Sequence, residues 1–247
     1  MSFYFEELDY RPTSIGAISL RRRRDLRLDQ DVYEIKLGDE FLMSSLFTAS
    51  EIALAQLCLG DLPGRGLDVV VGGLGLGYTA KAVLDHDSVM SLVVVDVLDA
   101  VIDWHRQGLV PLGAQLTGDP RCRFLNADFF DLAASVSGFS PEHPERKFDA
   151  VLVDIDHSPD SLLHSDNARF YGDTGLRHLA RHLKPGGVFG LWSDALPDEA
   201  FLSRLESVFA TARAEPVTFN IPWQNRDFTQ TVYVARTASV CDPLQSQ

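Results

Sequence analysis

Four stretches of this chain carry residue types whose spacing could do chemistry. The first is Val69-Val-Val-Gly-Gly-Leu-Gly-Leu-Gly77, an apolar run that empties into four glycines within six residues. Glycine lets the backbone turn tightly and approach a ligand closely, and a helix after such a loop offers free N–H groups and the positive end of its dipole. Gly75-Leu-Gly77-Tyr-Thr-Ala80 satisfies the GxGxxA form of the dinucleotide fingerprint, whereas the missing Gly-Lys-Ser/Thr excludes a Walker A loop. The second is Asp96, closing Val93-Val-Val-Asp96 and falling 19 positions after Gly77. An acid at the end of a second strand accepts hydrogen bonds from ribose hydroxyls. Gly72, Gly73, Gly75, Gly77, Asp96 and its neighbour Val97 are therefore candidates for holding a nucleoside.

The third stretch, Asn126-Ala127-Asp128, ends a short apolar run. An amide or acid there reaches an adenine amino edge, or caps the helix that follows; both readings stay open. The fourth is Val153-Asp154-Ile-Asp156-His-Ser-Pro159. Ligands of open α/β sheets bind outside the carboxyl ends of the strands, so Asp154 and Asp156 are expected to face the cleft. Two such acids can hold a cation and, if one pKa is raised, accept a proton; loop capping is the plainer alternative.

These residues need strands ending in loops, and the chain supplies them. After Gly66, β-branched runs at Leu67–Val71, Leu92–Val95, Phe124–Leu125, Ala150–Val153 and Val188–Leu191 alternate with helical patterns. Those patterns cover Tyr78–Leu84, Ala100–Gly108, Leu132–Val136 and Thr174–Leu183, with a further helix at Pro197–Phe209. Apolar strands between helices imply a parallel sheet covered on both faces. Strand-like pieces near Ala214–Phe219 and Thr229–Ala235 imply an antiparallel ending. Leu183-Lys-Pro-Gly-Gly187 reads as a helix stop with a left-handed turn, and 137–147 reads as a loop. Residues 1–65 differ in character. Arg24–Leu28 and Val32–Leu37 alternate as a hairpin around Asp29-Gln-Asp31, Phe41–Met43 adds a short strand, and Thr48–Leu59 forms a helix capped by Thr48 or Ser50. The domain reading is a small β-rich region over 1–65, a nucleotide-binding domain over 66–237 and a flexible tail over 238–247.

Composition narrows the classes. The 247 residues are 45% hydrophobic and 23% charged, enough for a sizeable core. The net charge of −13 disfavours nucleic acid as a partner. The Arg21–Arg24 run is read as a charged edge strand or strand entry rather than an anion grip. Nothing approaches the length of a membrane span, the first residues do not read as a secretory leader, and three scattered cysteines without a CxxC suit a reducing, cytoplasmic setting. His178 and His182 share a helix face but lack a third ligand, so no metal is expected; Trp192, Trp223 and Phe228 either wall a pocket or fill the core. No Gly-x-Ser-x-Gly elbow supports a hydrolase.

Taken together, the glycine loop, Asp96, Asn126-Ala-Asp128, the Asp154 turn and Lys184-Pro-Gly-Gly187 resemble the class I S-adenosylmethionine-dependent methyltransferase fold. More narrowly, the stretch from Arg24 to Ala235 is similar to the spermidine/spermine synthase (polyamine aminopropyltransferase) family. Val70-Val-Gly-Gly73, Asp96, Phe148-Asp-Ala-Val-Leu-Val-Asp154, Phe170-Tyr171, Leu183–Gly187 and Thr231-Val-Tyr-Val-Ala-Arg236 fall in family order. The resemblance implies an α/β, Rossmann-like, doubly wound and mostly parallel seven-stranded sheet with an antiparallel C-terminal strand, preceded by a small N-terminal β-hairpin region. It implies a transferase that uses S-adenosylmethionine or its decarboxylated form, without metal, to move an aminopropyl group to a small amine in polyamine biosynthesis. Asp154 or Asp156 would take the amine's proton, and Asn126, Ala127, Asp128 and Asp154 would join the glycines on the adenosyl group. A homodimer is also implied. Gly75 stands where the family usually carries a loop acid, and Thr48-Ala-Ser-Glu51 stands where it carries Tyr-His-Glu. A methyltransferase acting on a small molecule is the alternative; a non-catalytic adenosyl-ligand sensor and a nicotinamide oxidoreductase are weaker ones.

Overall fold

A computed structural model describes residues 4–60, 62–221 and 226–239. Its centre is a seven-stranded sheet built from β5 (Leu67–Gly72), β6 (Val89–Asp96), β7 (Cys122–Asn126), β8 (Phe148–Val153), β9 (Leu183–Ser193), β10 (Thr211–Ile221) and β11 (Arg226–Arg236). The strand order is β10-β11-β9-β8-β5-β6-β7, and only β11 runs against its neighbours. Val69–Val71, Val93–Val95 and Val151–Val153 are all buried, as strands covered on both faces must be. The chain winds from β5 to β6 on one side, then returns to place β8 on the other. That reversal puts a crevice where β5 and β8 end side by side, and the bond from Asp154 N to Gly72 O (2.8 Å) closes its floor.

The two faces are packed differently. On one lie α1 (Ala49–Leu59), α2 (Tyr78–Leu84), α3 (Asp99–Arg106) and α4 (Gly113–Gly118), over a largely aliphatic cluster that includes Leu54, Leu59, Val69 and Leu152. On the other lie α5 (Phe129–Ala134), α6 (Ala168–Tyr171), α7 (Asp173–Ala180) and α8 (Glu199–Val208), around Phe129, Phe130, Phe170, Phe189 and Phe201. Helix α1 presses so closely on β9 that a side chain at Gly190 would strike Cys58 Sγ. Thr48 makes no side-chain cap, and Ser50 points into the cavity wall, so neither residue caps α1 as expected. The helix is held instead by its buried face, each fully buried leucine contributing about 2 kcal/mol.

The N-terminal region is a four-stranded antiparallel sheet of β1 (Phe5–Thr13), β2 (Gly16–Asp25), β3 (Gln30–Leu37) and β4 (Glu40–Ser44). Its hairpin is displaced from the expected one. Asp25 Oδ1 accepts from the backbone N–H of Arg27 (2.9 Å) and Leu28 (3.1 Å), which ends β2 and makes Leu26–Asp29 a turn. Arg21–Arg24 therefore lies in an inner strand, where Arg22 bonds Glu6 (2.6 Å) and Arg23 bonds Glu34 (2.7 Å) across the sheet. Ile18, Leu20, Ile35 and Leu37 from this sheet share one buried cluster with the large sheet. Leu183–Gly187 also departs from expectation. Helix α7 ends at Ala180, and these residues begin β9, with Gly186 left-handed at φ 75°. Of the expected tail, Ala238 and Ser239 are described, and Gly186 N bonds Ala238 O (3.0 Å). Trp223, Cys241 and the rest of that tail lie outside the described residues.

Candidate functional site

A cavity of about 820 Å³ opens at the carboxyl ends of β5, β6, β8 and β9, roofed by the four-stranded sheet. Gly73 (φ 92°) and Gly75 (φ 46°) line it in left-handed conformations that side chains disfavour. A side chain at 73 would collide with the Asp154 carbonyl, and one at 75 with the Met43 sulfur, which comes from β4 and accepts Leu76 N (3.1 Å). Gly72 and Gly77, expected to touch a ligand, do not line the cavity. They are glycine because Phe129 packs on the first, and Leu116 and His105 on the second.

Asp96 and Val97 both line the cavity. The Asp96 carboxyl braces the glycine loop, accepting Leu74 N (2.9 Å) on one oxygen and Leu98 N (2.8 Å) on the other. Burial pushes its pKa up, against the pull of those backbone donors. With Gly75 as a third backbone donor, the carboxyl keeps about one of its four lone-pair sites for a hydroxyl donor. Asn126 and Ala127 stand outside the lining. The Asn126 amide instead staples Asp96 O (3.0 Å) and Val97 O (3.2 Å), fixing the strand end that presents them. Asp128 lines the cavity and also caps α5, its Oδ1 accepting Phe130 N (2.7 Å) and Asp131 N (3.1 Å).

On the other side of the crevice Asp154 meets Glu51, which enters from the first turn of α1. Thr79 Oγ1 donates to Asp154 Oδ2 (2.6 Å), leaving Oδ1 for a ligand. Glu51 is buried to 6% exposure with no cation bonded to it. Burial and the Asp154 charge push Glu51 up to about 8; burial pushes Asp154 up to about 6 despite the Thr79 bond. The pair therefore holds one proton and one negative charge near neutrality. Ser50 links the pair to the rest of the wall. Ser50 Oγ accepts from Trp192 Nε1 (2.9 Å) and lies 2.6 Å from Gln230 Oε1 and 2.9 Å from Glu51 Oε2, two acceptors for its single proton. A protonated Glu51 supplies the second, as does a Gln230 amide turned with its NH₂ group toward Ser50.

Asp156, expected beside Asp154, does not reach the cavity. Strand β8 ends at Val153, so the alternation of a strand no longer applies two residues on. Its carboxylate is 1% exposed and gathers Leu163 N (2.7 Å), Asn167 Nδ2 (2.9 Å) and Tyr171 Oη (2.8 Å), which ties down the 155–167 segment. Trp192 and Phe228 do wall the cavity. His182 serves packing, its Nε2 bonding Ala133 O (3.1 Å). Among the described residues no three His, Cys, Asp or Glu side chains gather as a metal site. Sequence reasoning missed Glu51, Met43 and Gln230 as site residues. The signal of Glu51 is its burial, and that of Met43 and Gln230 is contact across the fold; no local pattern encodes either.

The sequence matches a known family. The model of the spermine/spermidine synthase domain aligns with residues 53–230. The chain belongs to the spermine/spermidine synthase family. Among curated members, the polyamine aminopropyltransferase of Ruegeria sp. is 31% identical over 167 residues, covering 67% of this chain and 50% of that one. The polyamine aminopropyltransferase of Aeropyrum pernix is 30% identical over 128 residues, 52% of this chain and 38% of that one. The aligned segments thus span half or less of those members' lengths. A spermidine synthase solved with the transition-state analogue AdoDATO superposes with a TM-score of 0.72 at 18% identity, covering 96% of this chain and 75% of that one. The doubly wound sheet with its antiparallel strand and N-terminal β region is thus the family's fold, and the family's curated members are transferases.

Proposed function

We propose that this chain transfers an aminopropyl group from decarboxylated S-adenosylmethionine to a small amine. The observation that carries the reading is one cavity joining a nucleoside cradle, Gly73–Gly75 with Asp96, to a buried carboxyl pair that holds a single proton, Asp154 with Glu51. The residues present suit an adenosyl donor. Gly73 leaves backbone exposed where any side chain would clash, Asp96 keeps a lone pair for a ribose hydroxyl, and Asp128 borders the region an adenine would take. When bound, the donor supplies a carbon on positively charged sulfur, which departs with the bonding pair.

The chain's own side chains do the rest. An amine arrives as an ammonium, and the negative pair draws it in. Asp154 Oδ1, with its partner oxygen held by Thr79, takes one proton from nitrogen and frees the lone pair that attacks. Glu51, the protonated member of the pair, stays beside it as a neutral neighbour. The four-stranded sheet covers the site and excludes water, and alignment within the crevice lowers the barrier further. A second reading, methyl transfer from S-adenosylmethionine, has one observation in its favour: Met43 fills the space beside Gly75, so the loop presents no acid that would repel the carboxylate of that donor.

A cytoplasmic homodimer of a 1–65 region and a 66–237 domain completes the proposal. Cys58 and Cys122 are free thiols, and β1 is an edge strand bearing exposed Phe5 and Tyr10. The test is to incubate the protein with each donor and a panel of amines. Methylthioadenosine is the expected co-product; S-adenosylhomocysteine would establish the second reading, and neither product from either donor would remove the transferase assignment.

A further inference from the structure

Glu51 and Asp154 share one proton, and the chemistry depends on which of them keeps it. Their hydrogen bonds are unequal. Thr79 Oγ1 lies 2.6 Å from Asp154 Oδ2 and, among the described residues, bonds nothing else, so its proton points at that carboxyl. Glu51 has Ser50 Oγ at 2.9 Å, a hydroxyl it shares with Trp192 Nε1 and Gln230 Oε1. The fold places Thr79 for this task. It is the second residue of α2, follows the left-handed Gly77 that starts the helix, and is 3% exposed. The turn that shapes the nucleoside cradle thus also carries a hydroxyl to the end of β8.

A hydroxyl that donates to a carboxylate favours its charged form and opposes protonation. From this asymmetry, and resting on the transfer reading above, we infer that Thr79 is the positioning residue that makes Asp154, and not Glu51, the ionised member of the pair. Oδ1 is then free to take the amine's proton while the shared proton stays on Glu51. The two carboxyls are ordered accordingly, Asp154 at about 6 and Glu51 at about 8. The other ionisable groups that the surrounding elements bring to this wall are Tyr78 on α2, Asp96 at the end of β6, His157 on the loop after β8 and Asp194 beyond β9; the roof brings none. None of them is bonded to Asp154 or to Glu51, so the choice between the two falls to the hydroxyl. Without it Asp154 has no side-chain donor among the described residues and becomes the harder of the two to ionise. The pair still carries one negative charge, now on Glu51, where it attracts the amine but leaves the base protonated.

The experiment compares the native chain with Thr79→Val, which keeps the branched shape without the hydroxyl, with Thr79→Ala as a second hydroxyl-free variant, and with Thr79→Ser, which restores the donor. Carboxyl NMR shifts of Asp154 and Glu51, assigned with Asp154→Asn and Glu51→Gln, report which residue ionises first as pH rises. Asp154 is expected to ionise first in the native chain and in Thr79→Ser, and Glu51 first in Thr79→Val and Thr79→Ala. In the transfer assay the rising limb of kcat should move up by about one to two pH units without the hydroxyl, the effect of one hydrogen bond to a charged group. At pH 7 kcat should therefore fall about 10- to 100-fold and recover by pH 9, with the amine KM within about threefold of native. A merely structural defect would lower activity alike at both pH values. Asp154 still ionising first in the hydroxyl-free variants, or a kcat deficit that Thr79→Ser does not repair, overturns the inference. Turnover separates it from the reading it rests on. A reversed order of ionisation in a chain that forms no methylthioadenosine from any amine would refute the transfer reading and leave the role of Thr79 standing. An unreversed order with native turnover would do the opposite.

Discussion

Acids stand at both ends of the parallel strands, and the two ends treat them in opposite ways. At the amino ends of β5 and β8, Asp68 and Asp149 are surrounded by donors. Asp68 accepts Ser91 (2.6 Å), Arg146 (2.7 Å) and Lys184 (3.3 Å), and Asp149 accepts Lys184 (2.7 Å) and Asp68 N (2.8 Å). Partial burial pushes Asp68 up, but those partners win and hold it below the usual carboxylate range. At the carboxyl ends, Asp154 has one hydroxyl and Glu51 shares one serine, with no cation bonded to either. Burial there wins, and both rise. The difference separates a charge that stabilises the fold from a charge kept for a visitor. Unsatisfied acids in a cleft mark function because the fold would be more stable without them.

The contrast can be broken at either end. The largest effect is expected from Asp154→Asn, which removes the proton acceptor but keeps the shape and the Thr79 contact. Turnover should fall by about 10²–10⁴-fold, with donor affinity within a few-fold of the native chain; a mutant with native turnover would strip Asp154 of its role.

Glu51→Gln sharpens the comparison through pH. In the native chain, kcat/KM should climb between about pH 6 and about 8 as the pair loses its protons. The variant should lose the upper part of that limb and keep the lower. Stability should move the other way. A carboxyl whose folded pKa is raised contributes stability below its unfolded value and loses it as pH rises through the folded one. Glu51→Gln should therefore stabilise the chain at pH 8.5 by about 2 kcal/mol, roughly 5 °C in Tm, and change little at pH 5. A melting curve equally displaced at both pH values would contradict the burial argument.

The smallest effect belongs to the paired end. Arg146→Ala should cost about 1 kcal/mol at neutral pH, since its pair with Asp68 is partly screened by solvent. Because Asp68 titrates below its usual range, that difference should shrink as the solution is acidified toward pH 3, and kcat/KM should stay native throughout. A loss of catalysis without loss of Tm would show that the two ends are coupled.

Much of this was legible from sequence. The runs at Val69–Val71, Val93–Val95 and Ala150–Val153 are strands because no other element buries such residues on both sides, and their ends locate Gly73, Asp96 and Asp154. Three things were not legible. Strand β1 hides its pairing in a polar stretch, Phe-Glu-Glu-Leu-Asp-Tyr, whose alternation yields only partly buried residues. The Asp154–Asp156 spacing suggests a shared face, but a strand that stops at Val153 turns the second acid into a tether for a loop. Glu51 reads as an ordinary first-turn acid of α1; its importance comes from Trp192 and Gln230, 141 and 179 residues downstream, which only the folded chain brings beside it.

The roof over the cavity is a sheet of its own, anchored by Met43 on the glycine loop, by Glu40 on His157 (2.9 Å) and by Arg11 on Asp103 (2.9 Å). Ile15, Ile35 and Phe41 hang from it into the cavity, while Asp96 and Asp154 belong to the other sheet. Lineages descended from this chain can consequently change what they accept by drifting in the canopy, and leave the reaction centre beneath as it was.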